Sequence, residues 1–451
     1  MPPPAARDAR QFSPGPERML LLAGLMIVGT TVVGTAIHPR LGDYPFMALF
    51  ALQGLLAWSA TRAAEGCAPR RALLIVFAVA IAARCILLFD PPSLSTDAYR
   101  YVWDGRVQVA GVNPYRFVPA APELAGLRDE AIWPHINRRD YAPTIYPPAA
   151  QILFLSVALV SDGLMAVKLA LIAAEGVTAV VLIGLLRRLG RPPAGVVAYA
   201  WHPLALWEIA GNAHVDAAMV AAMMLGLWLA VARGRRVAGA AVLAAAALIK
   251  PFAVLALPAA WRPWDWRAPG AALAIGALLY LPYISVGTAV FGFLPTYLGE
   301  EGIASGSGFW LVRAMDAMIG PHGWTGWIYL AGACALTAAL ALRVSFGQDR
   351  GAEEMLSRLY WLILAFLLLL SPAQPWYWLL LLPFVVLSGQ PAAWVATIAC
   401  VILYDVASDV PELDFMTRDT VFNLAVLGTL LAGLLRRPAG AGAVAADGPS
   451  R

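Results

Sequence analysis

The chain has 451 residues, of which 60% are hydrophobic and only 13% are charged, and its formal net charge at pH 7 is +4. A mean hydropathy of +0.70 excludes an ordinary soluble globular protein. The small positive charge gives no basis for a nucleic-acid partner, because the arginines fall mainly in short loops, where they report membrane topology.

Apolar runs recur at intervals of roughly 20 residues, which is the length that a membrane-spanning helix needs. Helices are expected because every backbone hydrogen bond must close internally in lipid. The sequence therefore predicts an all-α, polytopic transmembrane protein. Counted along residues 19–436, the apolar runs predict about 12 to 14 crossings.

The first element is a polar tail, residues 1–18, whose arginines predict a cytoplasmic location. Apolar runs near 19–37, 44–62 and 71–89 are predicted spans, and the first is expected to be a retained signal anchor. The tail at 437–451 is rich in Ala and Gly and is predicted to be disordered and cytoplasmic.

A long polar loop, residues 90–148, follows the third span, and the arginine pattern predicts that it lies on the extracytoplasmic side of the membrane. Within it, Asp97 and Asp104 lie about two helical turns apart, so both carboxylates and Tyr101 share one face of a predicted helix. This favours a base with an orienting or acceptor-binding acid. The alternative is a solvated amphipathic helix at the interface.

The next apolar run, 148–160, is too short to span comfortably. We predict an interfacial or re-entrant helix that belongs to the outer loop, so that the run 164–186 alone crosses the membrane. This assignment keeps the following arginines on the cytoplasmic side.

Two cations lie in apolar surroundings. Arg84, near the outer end of the third span, is a candidate phosphate ligand, unless its side chain extends to the lipid headgroups. Lys250 precedes Pro251, where a helix must kink or end, so it either lines a cavity or marks a structural kink.

Two short outer segments carry the other polar motifs. His214 and Asp216, in GNAHVD, are expected either to contact the acceptor or the sugar, or to be structural; one turn supplies too few ligands for a metal site. Trp376 and Tyr377, in SPAQPWY, are either sugar-binding faces or part of an interfacial aromatic belt. The four cysteines indicate no disulfide framework and no zinc site.

The segments STDAYRYVWDG, GVNPY and TIYPP together resemble the first external loop of the GT-C glycosyltransferases. These are multispanning enzymes that take a sugar from a polyprenyl-phosphate carrier, and the mannosyltransferases among them are most similar. YAWHPLALWEIAGNAHVDA is similar to a second stretch of that family. Asp97 falls at the family's acidic position, but Ser95 and Thr96 precede it where many relatives have a second acid. A divalent metal is therefore possible but not indicated, and the sequence implies no certain cofactor.

The resemblance implies transfer of a hexose, expected to be mannose, from a polyprenyl-phosphate carrier to a lipid or glycan acceptor, with inversion. It implies a multi-pass protein of the inner or plasma membrane, in contact with membrane lipids, with its active site on the extracytoplasmic face. Asp97 would be the general base and Asp104 its partner. The residues implied in donor-phosphate binding are Arg84, Lys250 and Arg313. Those implied in substrate binding are Tyr101, His214, Asp216, Trp376 and Tyr377.

Two other functions remain open. A transporter or flippase of lipids or lipid-linked sugars would be expected to have paired internal repeats and charged residues near the midplane. No repeat is evident in the sequence. A ligase that moves a whole glycan from a diphosphate carrier is the alternative among enzymes.

Overall fold

All regular structure in the described part of the chain is helical, which confirms the predicted all-α class. The computed structural model describes residues 15–37, 43–303, 305–347, 351–404 and 415–435. Most of the predicted tail at 1–18 and all of the tail at 437–451 lie outside these ranges.

The helices follow one another along the chain with short connections. The α-helices are Pro16–Ile37, Asp43–Glu65, Pro69–Leu88, Asp97–Val109, Pro148–Ala158, Leu164–Arg188, Val197–Ala200, Pro203–Ala205, Asp216–Leu227, Arg236–Ala247, Arg267–Tyr280, Leu294–Glu300, Trp310–Ile319, Thr325–Ser345, Ala352–Leu370, Leu382–Ser388, Pro391–Ala399 and Phe415–Leu435. The 3-10 helices are Pro122–Leu127, Trp133–His135, Pro193–Val196, Pro251–Ala259, Leu281–Phe291, Pro375–Leu380 and Cys400–Leu403. Two π-helical segments are Leu206–Gly211 and Trp228–Ala232.

The polytopic architecture is confirmed by 6 helices in the described ranges that are long and apolar enough to cross a membrane. A seventh candidate is a pair, Pro203–Gly211 and Asp216–Ala232, bent by 119° at a short break. Several other predicted crossings are shorter apolar helices, because proline and 3-10 or π segments interrupt the apolar runs. They are Arg236–Ala247, Pro375–Ser388 and Pro391–Leu403, and a fourth short apolar helix, Pro148–Ala158, is the one that was predicted not to cross.

The polar loop is ordered by two packed helices, Asp97–Val109 and Pro148–Ala158. Gly105 makes the close approach between them, since a Cβ at this position would lie 2.6 Å from the carbonyl oxygen of Phe154. The ring of Tyr101 stacks on Phe154 with centroids 4.8 Å apart. The predicted helix at 148–160 is therefore present and packs on the loop, while its depth in a bilayer stays a prediction.

The middle of the loop is fastened by Arg106. Its guanidinium donates hydrogen bonds to Asp129 at 2.7 Å, to Asp162 at 2.8 Å and to the carbonyl of Leu127 at 2.9 Å. Burial alone would raise the pKa of Asp129, but the hydrogen bonds from Arg106 and from two backbone amides outweigh it and lower that pKa.

This anchor predicts how the loop responds to acid. Because the folded-state pKa of Asp129 lies below that of the unfolded chain, its stabilisation is present above about pH 4 and is lost as the pH falls through the lowered pKa. Limited proteolysis of the loop should therefore proceed equally slowly at about pH 7 and about pH 5, and accelerate only below about pH 4. Faster cleavage already at about pH 5 would contradict this assignment.

Candidate active site

A cavity of about 1170 Å³ opens beside the polar loop and is lined by segments distant in sequence. They are residues 92–97, 137–147, 250–252, 293–308 and 370–377, with a few further side chains. Five of the predicted site residues line it, namely Asp97, Lys250, Arg313, Trp376 and Tyr377. The folded chain thus brings together a carboxylate, two cations and two aromatic rings.

Asp97 is the first residue of the Asp97–Val109 helix, and its side chain is 22% exposed. Its backbone N–H donates to the hydroxyl of Ser95, and its Oδ1 accepts a hydrogen bond from Asn137 Nδ2 at 3.0 Å. Negative charge is favoured at this end of a helix because the backbone dipole is positive there. The carboxylate is therefore held in an accessible position at the wall of the cavity.

Lys250 stands where the Arg236–Ala247 helix has ended and a 3-10 helix begins at Pro251. The predicted break is confirmed, and the extended backbone at Lys250 directs the chain to the cavity. Its Nζ lies 2.6 Å from Asp216 Oδ2 and 4.7 Å from the centroid of the Tyr377 ring. The ammonium is thus fixed by a buried carboxylate and by a cation–π contact.

Arg313 belongs to the Trp310–Ile319 helix, and its side chain lines the cavity. Its guanidinium forms an ion pair with Asp419 and donates to the carbonyl of Ser307 at 3.4 Å. Asp419 is almost completely buried, so the ion pair holds the Arg313 guanidinium in a fixed position.

Two aromatic residues complete the wall. The indole of Trp376 stacks on the imidazole of His214 with ring centroids 4.2 Å apart. The hydroxyls of Tyr377 and Tyr297 lie 2.9 Å apart, and the Tyr377 ring packs edge-on against Phe252. Flat rings with a polar atom at one end suit contact with a sugar ring.

Three of the predicted substrate-binding residues lie behind this wall rather than on it. His214, Asp216 and Tyr101 are at most 1% exposed and do not line the cavity. Tyr101 accepts a hydrogen bond from the backbone N–H of Val215 at 3.4 Å, which ties the polar loop to the GNAHVD turn. In this conformation these side chains support the cavity and cannot touch a ligand within it.

Asp104 is also buried, beneath the loop. Its Oδ1 accepts from Arg100 Nε at 2.8 Å, and its Oδ2 accepts from the hydroxyl of Thr144 at 2.5 Å and from Gln151 Nε2 at 2.9 Å. It therefore joins the start of the loop to its end and to the following helix. The shared helix face expected for Asp97 and Asp104 does not bring both carboxylates to the cavity.

The structure does not bring Arg84 to the cavity. Its Nε donates to Glu175 at 3.0 Å and its Nη1 donates to the carbonyl of Ala200 at 2.7 Å, and a second contact to Glu175 completes the pair. The expected partner was a donor phosphate, but the chain supplies its own buried carboxylate instead. We therefore leave Arg84 out of the proposed phosphate site.

Sequence reasoning missed Asn137, Tyr297 and Glu208. Nothing in the local pattern marks Asn137 or Tyr297, because each reaches the site only through the folding of the loops. Glu208 had a usable signal: it is a lone acid in an apolar run, and such residues are expensive in a membrane and often functional. Among the residues that the structure describes, no group of three or more His, Cys, Asp or Glu side chains could hold a metal ion.

Comparisons with known proteins gave a family match and a relative. The family described as "Alpha-(1->6)-mannopyranosyltransferase, N-terminal domain" matches residues 27–264. Alpha-(1->6)-mannopyranosyltransferase A of Mycobacterium tuberculosis (strain ATCC 25618 / H37Rv) is 28% identical over 221 residues, which are 46% of this chain and 42% of the relative. The match thus spans less than half the length of that protein, and no solved structure matches the chain. Since the family match covers more than half of the chain, this protein belongs to the alpha-(1->6)-mannopyranosyltransferase family.

Proposed function

We propose that the protein is a membrane-embedded hexosyltransferase that moves mannose from a polyprenyl-phosphate carrier to a lipid or glycan acceptor on the extracytoplasmic face of the membrane. The observation that carries the proposal is the cavity that joins Asp97 to Lys250 and Arg313. Such a site offers a base for a hydroxyl group and cations for a phosphate. Family membership supports the sugar.

The two cations define the donor end of the cavity. As the bond between sugar and phosphate breaks, negative charge grows on the departing oxygen, and charge-assisted hydrogen bonds from Lys250 and Arg313 stabilise it. Both cations are already oriented by buried carboxylates, Asp216 and Asp419. Little reorganisation is then needed when the donor binds.

Asp97 defines the reacting end. A phosphate leaving group needs little protonation, so one carboxylate that removes the proton from the acceptor hydroxyl is sufficient. In-line attack on the face opposite the phosphate inverts the anomeric centre. Trp376 and Tyr377 provide the flat surface against which the sugar ring rests.

The function is tested in proteoliposomes containing the purified protein, an acceptor and radiolabelled mannose on a polyprenyl-phosphate carrier. We expect label to pass to the acceptor with inverted configuration, and no transfer from a nucleotide-linked mannose. Transfer should require donor on the face that exposes the 90–148 loop. Movement of the carrier across the bilayer without a new glycosidic bond would instead establish the transporter.

Replacing Lys250 with Gln should weaken donor use. We expect the ratio kcat/KM for the donor to fall about 10- to 100-fold, mainly through KM, because a charge-assisted contact to phosphate is lost. Steady-state kinetics with varied donor concentration measures this. Lys250→Arg, which retains the cation, should lose much less.

Lys168 is the matched control, being the only other lysine of the chain. Its Nζ donates to the carbonyls of Leu87 and Asp90, and it does not line the cavity. Lys168→Gln should leave the donor KM unchanged. An equal rise of KM in both variants would mean that Lys250 acts only through general packing.

A further inference from the structure

Two ionisable side chains lie directly behind Asp97 and take no part in the mechanism above. His214 Nδ1 is 3.9 Å from Asp97 Oδ2, and His214 Nε2 is 3.1 Å from Glu208 Oε2. Both side chains are completely buried. Although the second pair is close, neither ring nitrogen and neither Glu208 oxygen has an aligned hydrogen-bond partner among the described residues. Buried polar groups left in this state call for an explanation.

The backbone that presents these two groups is itself unusual. Glu208 lies in the π-helical segment Leu206–Gly211, and π-helical turns are frequent at functional sites. Ala213, immediately before His214, has a φ of +58°, a left-handed conformation that is rare for residues other than Gly. They lie at the bend of 119° between Pro203–Gly211 and Asp216–Ala232, with the imidazole facing Asp97. A strained turn persists only where surrounding contacts enforce it.

The pair is closed off from the cavity. Trp376 stacks on the imidazole and itself lines the cavity, so His214 has no direct route to a bound ligand. Charged and titratable groups from each surrounding segment face the pair. They are Asp97, Asp216, Lys250 and the thiol of Cys400.

We propose that His214 and Glu208 act through Asp97, from which they take the acceptor proton into the protein. The inference rests on the proposed function, since it requires that Asp97 is the base. Rotation of the Asp97 side chain brings its Oδ2 to His214 Nδ1, across a gap about 1 Å longer than a hydrogen bond. The imidazole then lies between the carboxyl groups of Asp97 and Glu208, so it can accept a proton from the first and donate one to the second.

Each step balances. The acceptor oxygen forms its bond to the anomeric carbon while the bond from that carbon to the phosphate oxygen breaks, and the phosphate leaves with the electron pair. The hydroxyl proton passes to Asp97 and then to His214 Nδ1, while the proton on Nε2 moves to Glu208. When the product leaves, the reverse transfer returns the proton to Asp97, and Asp97 releases it to the water that enters the emptied cavity, so no other reactant is consumed.

Transfer of the proton from Asp97 to His214 returns Asp97 to its carboxylate form before the product leaves. Carrier, sugar and acceptor together occupy the cavity during transfer, so solvent reaches Asp97 only slowly until the product departs. His214 lies on the protein side of that carboxylate and stays within reach throughout. A histidine suits the task because its two nitrogens accept and donate a proton at opposite ends of one ring.

The test measures kcat, the donor KM and the effect of a small buffer base on Glu208→Gln, His214→Gln and the double variant. Each single variant should lower kcat about tenfold or more and leave the donor KM unchanged, and the double variant should be no slower than the slower single variant. Added imidazole buffer should accelerate the variants, because the proton must now leave through solvent, but not the wild type.

His202 provides the control, since it is equally buried but bonds to Thr397 and to the backbone N–H of Leu204. His202→Gln should show no buffer dependence. The inference is overturned if Glu208→Gln keeps a normal kcat, or if the losses lack buffer dependence or add in the double variant. If His214→Gln does not fold, the isosteric Glu208→Gln decides alone. Absence of mannosyl transfer by the wild type would instead refute the proposed function.

Discussion

Asp97→Asn is expected to lower the rate of mannosyl transfer about 100- to 10,000-fold, because it removes the general base. The side chain keeps its size, and Asn can still occupy the position beside Asn137 at the start of its helix. Donor KM should therefore change little, since the donor phosphate is held by Lys250 and Arg313. The measurement is kcat and KM in proteoliposomes, with thermal unfolding in detergent to verify folding.

A control for this variant is Asp140→Asn in the same loop. The Asp140 side chain is 78% exposed and lies 4.0 Å from Arg139, so its charge is largely solvated. It should retain full activity. If Asp97→Asn also retained full transfer, Asp97 could not be the base and the mechanism proposed here would be wrong.

Asp104→Ala is expected to have the largest effect on stability, about 3–5 kcal/mol. The substitution leaves Arg100 as a buried cation without its carboxylate and also removes the hydrogen-bond acceptor of Thr144 and Gln151. Thermal unfolding in detergent measures the loss, and hydrogen exchange should show it concentrated in the 90–148 loop.

Asp104→Asn separates a structural role from a catalytic one. It keeps an acceptor oxygen but loses the charge, so we expect a smaller destabilisation and substantial remaining transfer. Asp129→Ala, at a carboxylate that is 37% exposed, should cost far less than Asp104→Ala. Abolished transfer in Asp104→Asn with unchanged stability would show that this acid takes part in the chemistry after all.

Features set by local sequence were predictable. Pro251 must interrupt a helix, so the break that places Lys250 at the cavity could be inferred from two adjacent residues. The helix beginning at Asp97 followed from spacing within one segment, and the short helix before residue 160 followed from its length.

Features set by partners distant in sequence were not predictable. Arg84 was expected at the site because it is a charge in an apolar span, and Asp104 because it shares a helix face with Asp97. Instead, Arg84 donates to Glu175 and Asp104 accepts from Gln151, both away from the cavity. His214 was expected either to contact the substrate or to be structural, and the indole of Trp376 stacks on its ring and separates it from the cavity. Each outcome depends on packing between segments, which spacing along one chain does not encode.

The most direct test of the account is a structure of the protein with a mannose-bearing polyprenyl phosphate bound. We expect the phosphate within hydrogen-bond distance of Lys250 or Arg313, the sugar against Trp376 and Tyr377, and the anomeric carbon facing the Asp97 side of the cavity. A carrier phosphate bound outside this cavity, with Asp97 remote from the sugar, would contradict it.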